Sequence, residues 1–157
     1  MIKKCILTLS LFLCIGLCST LMAQNAIFQK YSGMDHVKYV SIGKSMLEQM
    51  AKSGKTTIGG VDIRGLGPGM PFDGILIIST SESAVGQQIQ DDEKSLSNSS
   101  YANMMITQDG KQHRSSIYFR EAKPSNELVM FVSDGPEYTV IVLTGSFKQK
   151  DIERMFL

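Results

Sequence analysis

All three cysteines of the chain, Cys5, Cys14 and Cys18, fall within its first 23 residues, and this placement limits what the remainder can use to hold a fold together. The segment has the layout of a bacterial export signal. Lys3 and Lys4 begin it, Ile6 to Leu17 is an apolar run, and Leu21-Met22-Ala23 is a small-residue exit before Gln24. Cleavage after Ala23 is expected, because the apolar run is short for a bilayer span. A lipid anchor is not expected, since Cys14 follows Leu13 and Cys18 follows Leu17 where a small residue is needed. The exported chain would carry no thiol into an oxidising compartment. Packing and hydrogen bonds alone must then hold it, and thiol catalysis and cysteine zinc sites are excluded.

Residues 24–157 number 134, the size of one ordinary domain that buries roughly two-thirds of its unfolded surface. With Lys3 and Lys4 set aside, 14 basic side chains face 15 acidic ones, a net charge of −1. That balance lacks the dense basic footprint by which nucleic acid or anionic lipid is captured. No second apolar segment follows the signal, so no integral span is expected after cleavage. The acidic cluster Asp91-Asp92-Glu93 reads as a solvated helix face, because adjacent helical residues point in different directions.

Along the exported chain, Asn25 to Ser32 predicts a short helix that docks on the core through Ile27, Phe28 and Tyr31. His36 to Ile42 predicts a strand with Val40 and Ile42 on one side. A helix follows, with capping-box spacing from Ser45 to Glu48, an apolar stripe of Met46, Leu47, Met50 and Ala51, and Gly54 placed for a left-handed end. Lys55 to Asp73 is rich in glycine and proline and predicts an irregular connection. Ile75 to Ile78 predicts a buried strand, and Ser79 to Ser83 offer N-caps for a helix with Val85, Ile89 and Leu96 inside and Gln87, Gln90, Asp91 and Lys94 outside.

The period then turns from helical to alternating. Ala102, Met104 and Ile106 are expected on one strand face and Asn103, Met105 and Thr107 on the other. Asp109-Gly110 and Asp134-Gly135-Pro136 supply the turns of two hairpins, and Ile152, Met155 and Phe156 mark a terminal helix with Asp151 near its start. This order predicts an α+β fold, a mixed, mainly antiparallel sheet of about six strands with helices packed on it. Leu128 to Val132 and Tyr138 to Leu143 are apolar on both faces, so each sheet face is covered within the monomer or meets a partner.

Motifs for chemistry are sparse. Gly54-Lys55-Thr56 lacks the glycine that a phosphate-binding loop needs five positions earlier, where Gln49 stands. Gly65 to Gly69 leads into Met70-Pro71-Phe72 and not into a helix, so it offers pyrophosphate no aligned dipole. His36 and His113 lack the spacing of a zinc site, no serine sits in a nucleophile elbow, and neither a cofactor nor a metal is expected. His113, beside Lys111 and Arg114, reads as an edge charge. Glu121, Glu127 and Glu137 lie near strand ends, where carboxylate pairs for glycoside hydrolysis can arise.

Four stretches carry a resemblance by their order and spacing: Val40-Ser41-Ile42-Gly43-Lys44-Ser45-Met46, Phe72-Asp73-Gly74-Ile75-Leu76-Ile77-Ile78-Ser79, Asn126-Glu127-Leu128-Val129-Met130, and Val140 to Gly145 before the last helix. In these the chain resembles the exported bacterial domain-of-unknown-function family numbered 4252, over nearly all of residues 24–157. The resemblance implies an exported module and brings no catalytic residues.

Three readings of function follow. The first is a non-catalytic periplasmic or secreted envelope module that binds a protein partner or senses the envelope, through an exposed apolar sheet face or the loop bearing Arg64, Leu66, Pro68, Met70 and Phe72. A second is a small hydrolase or carbohydrate-active enzyme using strand-end carboxylates such as Glu121 and Glu137. The third is a self-associating structural domain.

Overall fold

The structure is a computed structural model, and it describes residues 26–54, 57–58, 61–62 and 72–156. The export segment therefore lies outside the described residues. The chain divides between Ser32 and Gly33 into two units. The first contains one helical turn, α1 (Ala26–Gln29), after which the Tyr31 and Ser32 amides donate to the Phe28 and Gln29 carbonyls.

The second unit begins with β1 (Val37–Gly43) and α2 (Lys44–Ser53), followed by two short strands, β2 (Thr57–Ile58) and β3 (Val61–Asp62). Then come β4 (Phe72–Thr80), α3 (Ser83–Ser97), β5 (Ala102–Asp109), β6 (His113–Arg120), β7 (Asn126–Asp134), β8 (Glu137–Gly145) and α4 (Gln149–Phe156). Six strands form one sheet in the order β1-β4-β8-β7-β6-β5, antiparallel at every pairing. The α+β expectation holds, with the sheet antiparallel throughout.

Turn chemistry sets the meander from β5 to β8. Gly110 has φ 65° between the paired Asp109 and His113, and Gly135 has φ 60° between Asp134 and Glu137. In the two-residue loop Gly135-Pro136 a positive φ at the first residue is what a tight hairpin turn requires, and Pro136 suits the second; the β5–β6 loop has three residues, Gly110 to Gln112.

Cross-strand pairing sorts the apolar residues onto two faces. Ile42, Ile75, Leu143, Leu128 and Phe119 lie in one row across the sheet. Ile58, Phe147 and Ile152 are buried with this row, and Leu47 and Met50 of α2 pack against it. The opposite face carries Leu76, Ile78, Tyr118, Val129, Phe131, Val140 and Val142, all buried, and α3 brings Val85, Ile89 and Leu96 to it. Helices on both faces account for the doubly apolar strands β7 and β8.

Several local expectations are corrected. The N-cap expected at Ser45 stands two residues earlier, at Gly43, with no side-chain cap, so the Ser45–Glu48 box does not form. Met46 is 53% exposed and leaves the stripe to Leu47 and Met50. Gly54 does take the left-handed end, at φ 68°. Within the expected irregular connection, Thr57 pairs with Asp62 and Ile58 with Val61, and Phe72 and Asp73 already belong to β4.

Ser79 and Thr80 are also strand residues. The N-cap of α3 is Glu82, whose amide donates to the Thr80 hydroxyl at 3.0 Å. In β5 the register shifts between Asn103, opposite Tyr118, and Met105, opposite Ile117. Met104 is the extra residue of this bulge, so Met104 and Met105 both pack on the core, while Ile106 is 51% exposed.

Candidate functional site

Side chains alternate along β6. His113, Ser115, Ile117 and Phe119 share one face, and Arg114, Ser116, Tyr118 and Arg120 share the other, beneath α3. A row of polar groups under a helix must be answered by polar groups on that helix or at the neighbouring strand. Two buried carboxylates answer it.

The first is Glu93. It sits four residues after Ile89 and eight after Val85, so the helical period carries it into the inner seam of α3, where it is 7% exposed. Its Oε1 accepts from the Arg114 guanidinium at 2.8 Å, from the Ser116 hydroxyl at 2.6 Å and from the Tyr118 hydroxyl at 3.1 Å. Its Oε2 accepts no hydrogen bond from the described residues and is not among the fully enclosed unpartnered atoms. Burial, then the charge of Glu93, pushes the Tyr118 phenol above its ordinary pKa.

Glu93 lines a cleft of about 230 Å³ between α3 and the ends of β6, β7 and β8. Lys111, Arg114, Gln90, Gln108, Ser133 and Tyr138 supply its other polar groups, and Ile89 and Phe131 its apolar ones. Gln90 donates to the Tyr138 hydroxyl at 3.1 Å and Gln108 to the Gly110 carbonyl at 3.0 Å, so the polar lining is fixed before anything binds. A larger depression of about 420 Å³ at His36, Lys38, Ser79, Thr80 and Glu137 is more open to solvent. There the Thr80 hydroxyl is already spent on the His36 carbonyl, at 2.9 Å.

The second carboxylate is Glu127, at the start of β7 and 1% exposed, with Oε2 accepting from Arg120 at 2.6 Å. The Arg120 guanidinium also lies over the Tyr101 ring, 4.6 Å from its centroid. Among the described residues, Glu127 Oε1 and Arg120 Nε have no partner that meets hydrogen-bond geometry. Burial raises the Glu127 pKa above the usual carboxylate range, and Arg120 pulls it partly back. Burial, followed by the Glu127 charge, pushes the Tyr101 phenol well up.

With the geometry in place, comparison with known proteins gives one result. The family described as "Domain of unknown function (DUF4252)" matches residues 31–155. The chain belongs to the DUF4252 family. No curated protein and no solved structure matches it. The match spans both carboxylate networks, so Glu93 and Glu127 are parts of the DUF4252 domain itself.

The residues singled out from sequence are dispersed in this DUF4252 fold. Arg64, Leu66, Pro68 and Met70 lie outside the described residues. Phe72 opens β4, partly buried, with its ring centroid 5.8 Å from that of Phe147, and the next residue, Asp73, accepts from the Ser125 hydroxyl at 2.6 Å. Phe72 therefore packs on the core.

Glu121 and Glu137 are exposed at opposite ends of the sheet. Glu127 pairs with Thr144, seven strand positions from Glu137, so the two ends are roughly 23 Å apart at 3.3 Å per residue. Carboxylates that cleave one glycosidic bond stand about 5–9.5 Å apart, so Glu121 and Glu137 do not form such a pair. His113 is solvent-exposed and pairs with Asp134 at 2.8 Å, but β6 lies between β5 and β7, so it is not the edge charge expected from sequence; among the described residues no group of His, Cys, Asp and Glu is arranged to hold a metal.

Reading Asp91-Asp92-Glu93 as one solvated face is corrected for Glu93. Asp91 does stay outside and pairs with Lys94 at 2.9 Å, whereas Glu93 is inside. The spacing 85, 89, 93, 96 held the signal, as did the polar alternation of β6.

Proposed function

We propose that this DUF4252 domain is an exported, non-catalytic sensing module of the bacterial envelope that holds a small polar solute in the Glu93 cleft. The observation that carries the reading is the division of labour at one buried carboxylate. Three donors hold Oε1, whereas Oε2, on a side chain that lines the cleft, has no donor among the described residues. The surrounding hydrogen bonds hold the lining in a fixed shape, which suits recognition. Export is supported by the composition of residues 1–23, with the periplasm or the medium as destination.

Against ~30 Å³ for one water in the liquid, 230 Å³ is the space of a small metabolite and is too little for an oligosaccharide or a nucleotide. The test is to express the full chain in a bacterial host, separate the compartments and weigh the recovered protein by native mass spectrometry. Expected are a periplasmic or secreted product beginning at Gln24 and a bound small molecule whose occupancy falls in Glu93→Gln. Retention in the cytoplasm would refute export. Protein that binds nothing from envelope extract, with unshifted NMR signals at the cleft, would refute binding.

A further inference from the structure

We infer that the Glu93 cleft is built for an acidic α-amino acid, with the ligand ammonium on Glu93 and its two carboxylates on Arg114 and Lys111. This deepens the proposed solute-binding role and rests on it.

The Glu93 side chain is more than nine-tenths buried and its Oε2 has no donor among the described residues, so a ligand group that meets it must donate. A cationic donor is favoured over a neutral one, since charge-assisted hydrogen bonds are roughly twice as strong. Arg114 spends one terminal nitrogen on Glu93 Oε1 and is 43% exposed, which leaves further N–H groups of its guanidinium for an anion. Lys111 is a lining residue with three donors and has no ion pair among the described residues.

Two cations and one carboxylate therefore face the same small volume. The complement is a molecule with two carboxylates and one ammonium, and aspartate and glutamate are the small metabolites of that charge pattern. Both are within the size that the cleft admits. The pattern also discriminates. A dicarboxylate without the ammonium sets its anion beside Glu93, and a neutral amino acid leaves one of the two cations unmatched.

The test is NMR titration of the purified full chain with L-aspartate and L-glutamate, set against succinate, L-alanine, glucose and inorganic phosphate. Expected is saturable binding of at least one acidic amino acid below ~1 mM, with signals of Glu93, Lys111, Arg114 and Ser133 shifting. Succinate and L-alanine should each bind at least about tenfold more weakly, the loss of one charge-assisted contact. Glu93→Gln should cut amino-acid affinity at least tenfold and leave succinate as it was or tighter. Lys111→Ala, at an exposed loop position, should weaken both dicarboxylic ligands without disturbing the fold.

Comparison of ligands on the unaltered protein needs no variant to fold. Succinate or L-alanine binding as tightly as the acidic amino acids would overturn the inference while leaving the cleft a binding site. The same holds if only glucose or phosphate shifts the cleft signals. A cleft indifferent to every probe would overturn the inference and count against the binding role as well.

Discussion

The two buried carboxylates show how one residue type acquires two fates from its surroundings. Glu93 meets three donors on one oxygen at the wall of a cleft, whereas Glu127 is enclosed with the Arg120 guanidinium and the Tyr101 hydroxyl. Enclosure penalises the ionised form, and for Glu127 this outweighs the help of Arg120, so its folded pKa stands above the unfolded value. An acid shifted upward holds its proton more tightly folded than unfolded. Stability therefore declines as pH rises from the ordinary value of 4.5 towards the displaced one. Glu127→Gln keeps the acceptor for Arg120 and has no proton to lose. Urea midpoints followed upward from pH 4 should show the unaltered protein losing stability relative to the variant across this window. A constant difference over the window would show that Glu127 ionises in the folded protein as it does in the unfolded chain. Both carboxylates were in view in the sequence, but only the Glu93 position in the α3 period told which way it points, and the Arg120–Tyr101 stack over Glu127 joins residues from separate strands that no local pattern connects.

Helix α3 comes closest to the Tyr138 ring at the one position where it has no side chain. A Cβ built on Gly86 would stand 2.3 Å from the Tyr138 ring, closer than real atoms approach, and the same ring receives the Gln90 hydrogen bond on its hydroxyl. A glycine inside an exposed helix costs roughly 0.5–1 kcal/mol relative to alanine, so replacement there would ordinarily stabilise. At Gly86 the sign reverses, because the ring must shift and draw Gln90 with it. Gly86→Ala should lower the unfolding free energy by about 1–3 kcal/mol in chemical denaturation, and Tyr138→Ala in the same chain should recover part of the helix gain. Stabilisation by Gly86→Ala alone would show that α3 does not approach β8 so closely. Long periodic elements were legible in advance: α3, the two hairpins and the buried strand at Ile75 to Ile78 stand where alternation and turn residues put them. Their ends were less so. The Ser45 cap and the strand parity at Met104 failed because a bulge and a two-residue shift of helix start cost little locally and are settled by what packs across the sheet.

Strand order belongs to the whole molecule, and the sequence carried it only as far as neighbours joined by short turns. The runs from β5 to β8 follow one another through two tight hairpins and the Glu121 to Ser125 connection, whereas β4 must find β8 across the entire meander, pairing Thr80 with Tyr138 and Phe72 with Gly145. Closing that long loop costs conformational entropy before any contact repays it, and the local hairpins carry no such charge. The β7–β8 hairpin also brings Leu128, Val129, Val140 and Leu143 together fully enclosed. Folding should therefore nucleate there, with β4 and then β1 joining on the far side. Val129→Ala, in β7, should slow refolding by a large share of its equilibrium cost. Val40→Ala, in β1, should leave the refolding rate nearly unchanged and accelerate unfolding. Stopped-flow refolding and unfolding in urea separates the two limbs for each variant. If Val40→Ala slows refolding as strongly as Val129→Ala, the pairing of β1 with β4 is already formed at the barrier, and loop length does not set the order in which this sheet assembles.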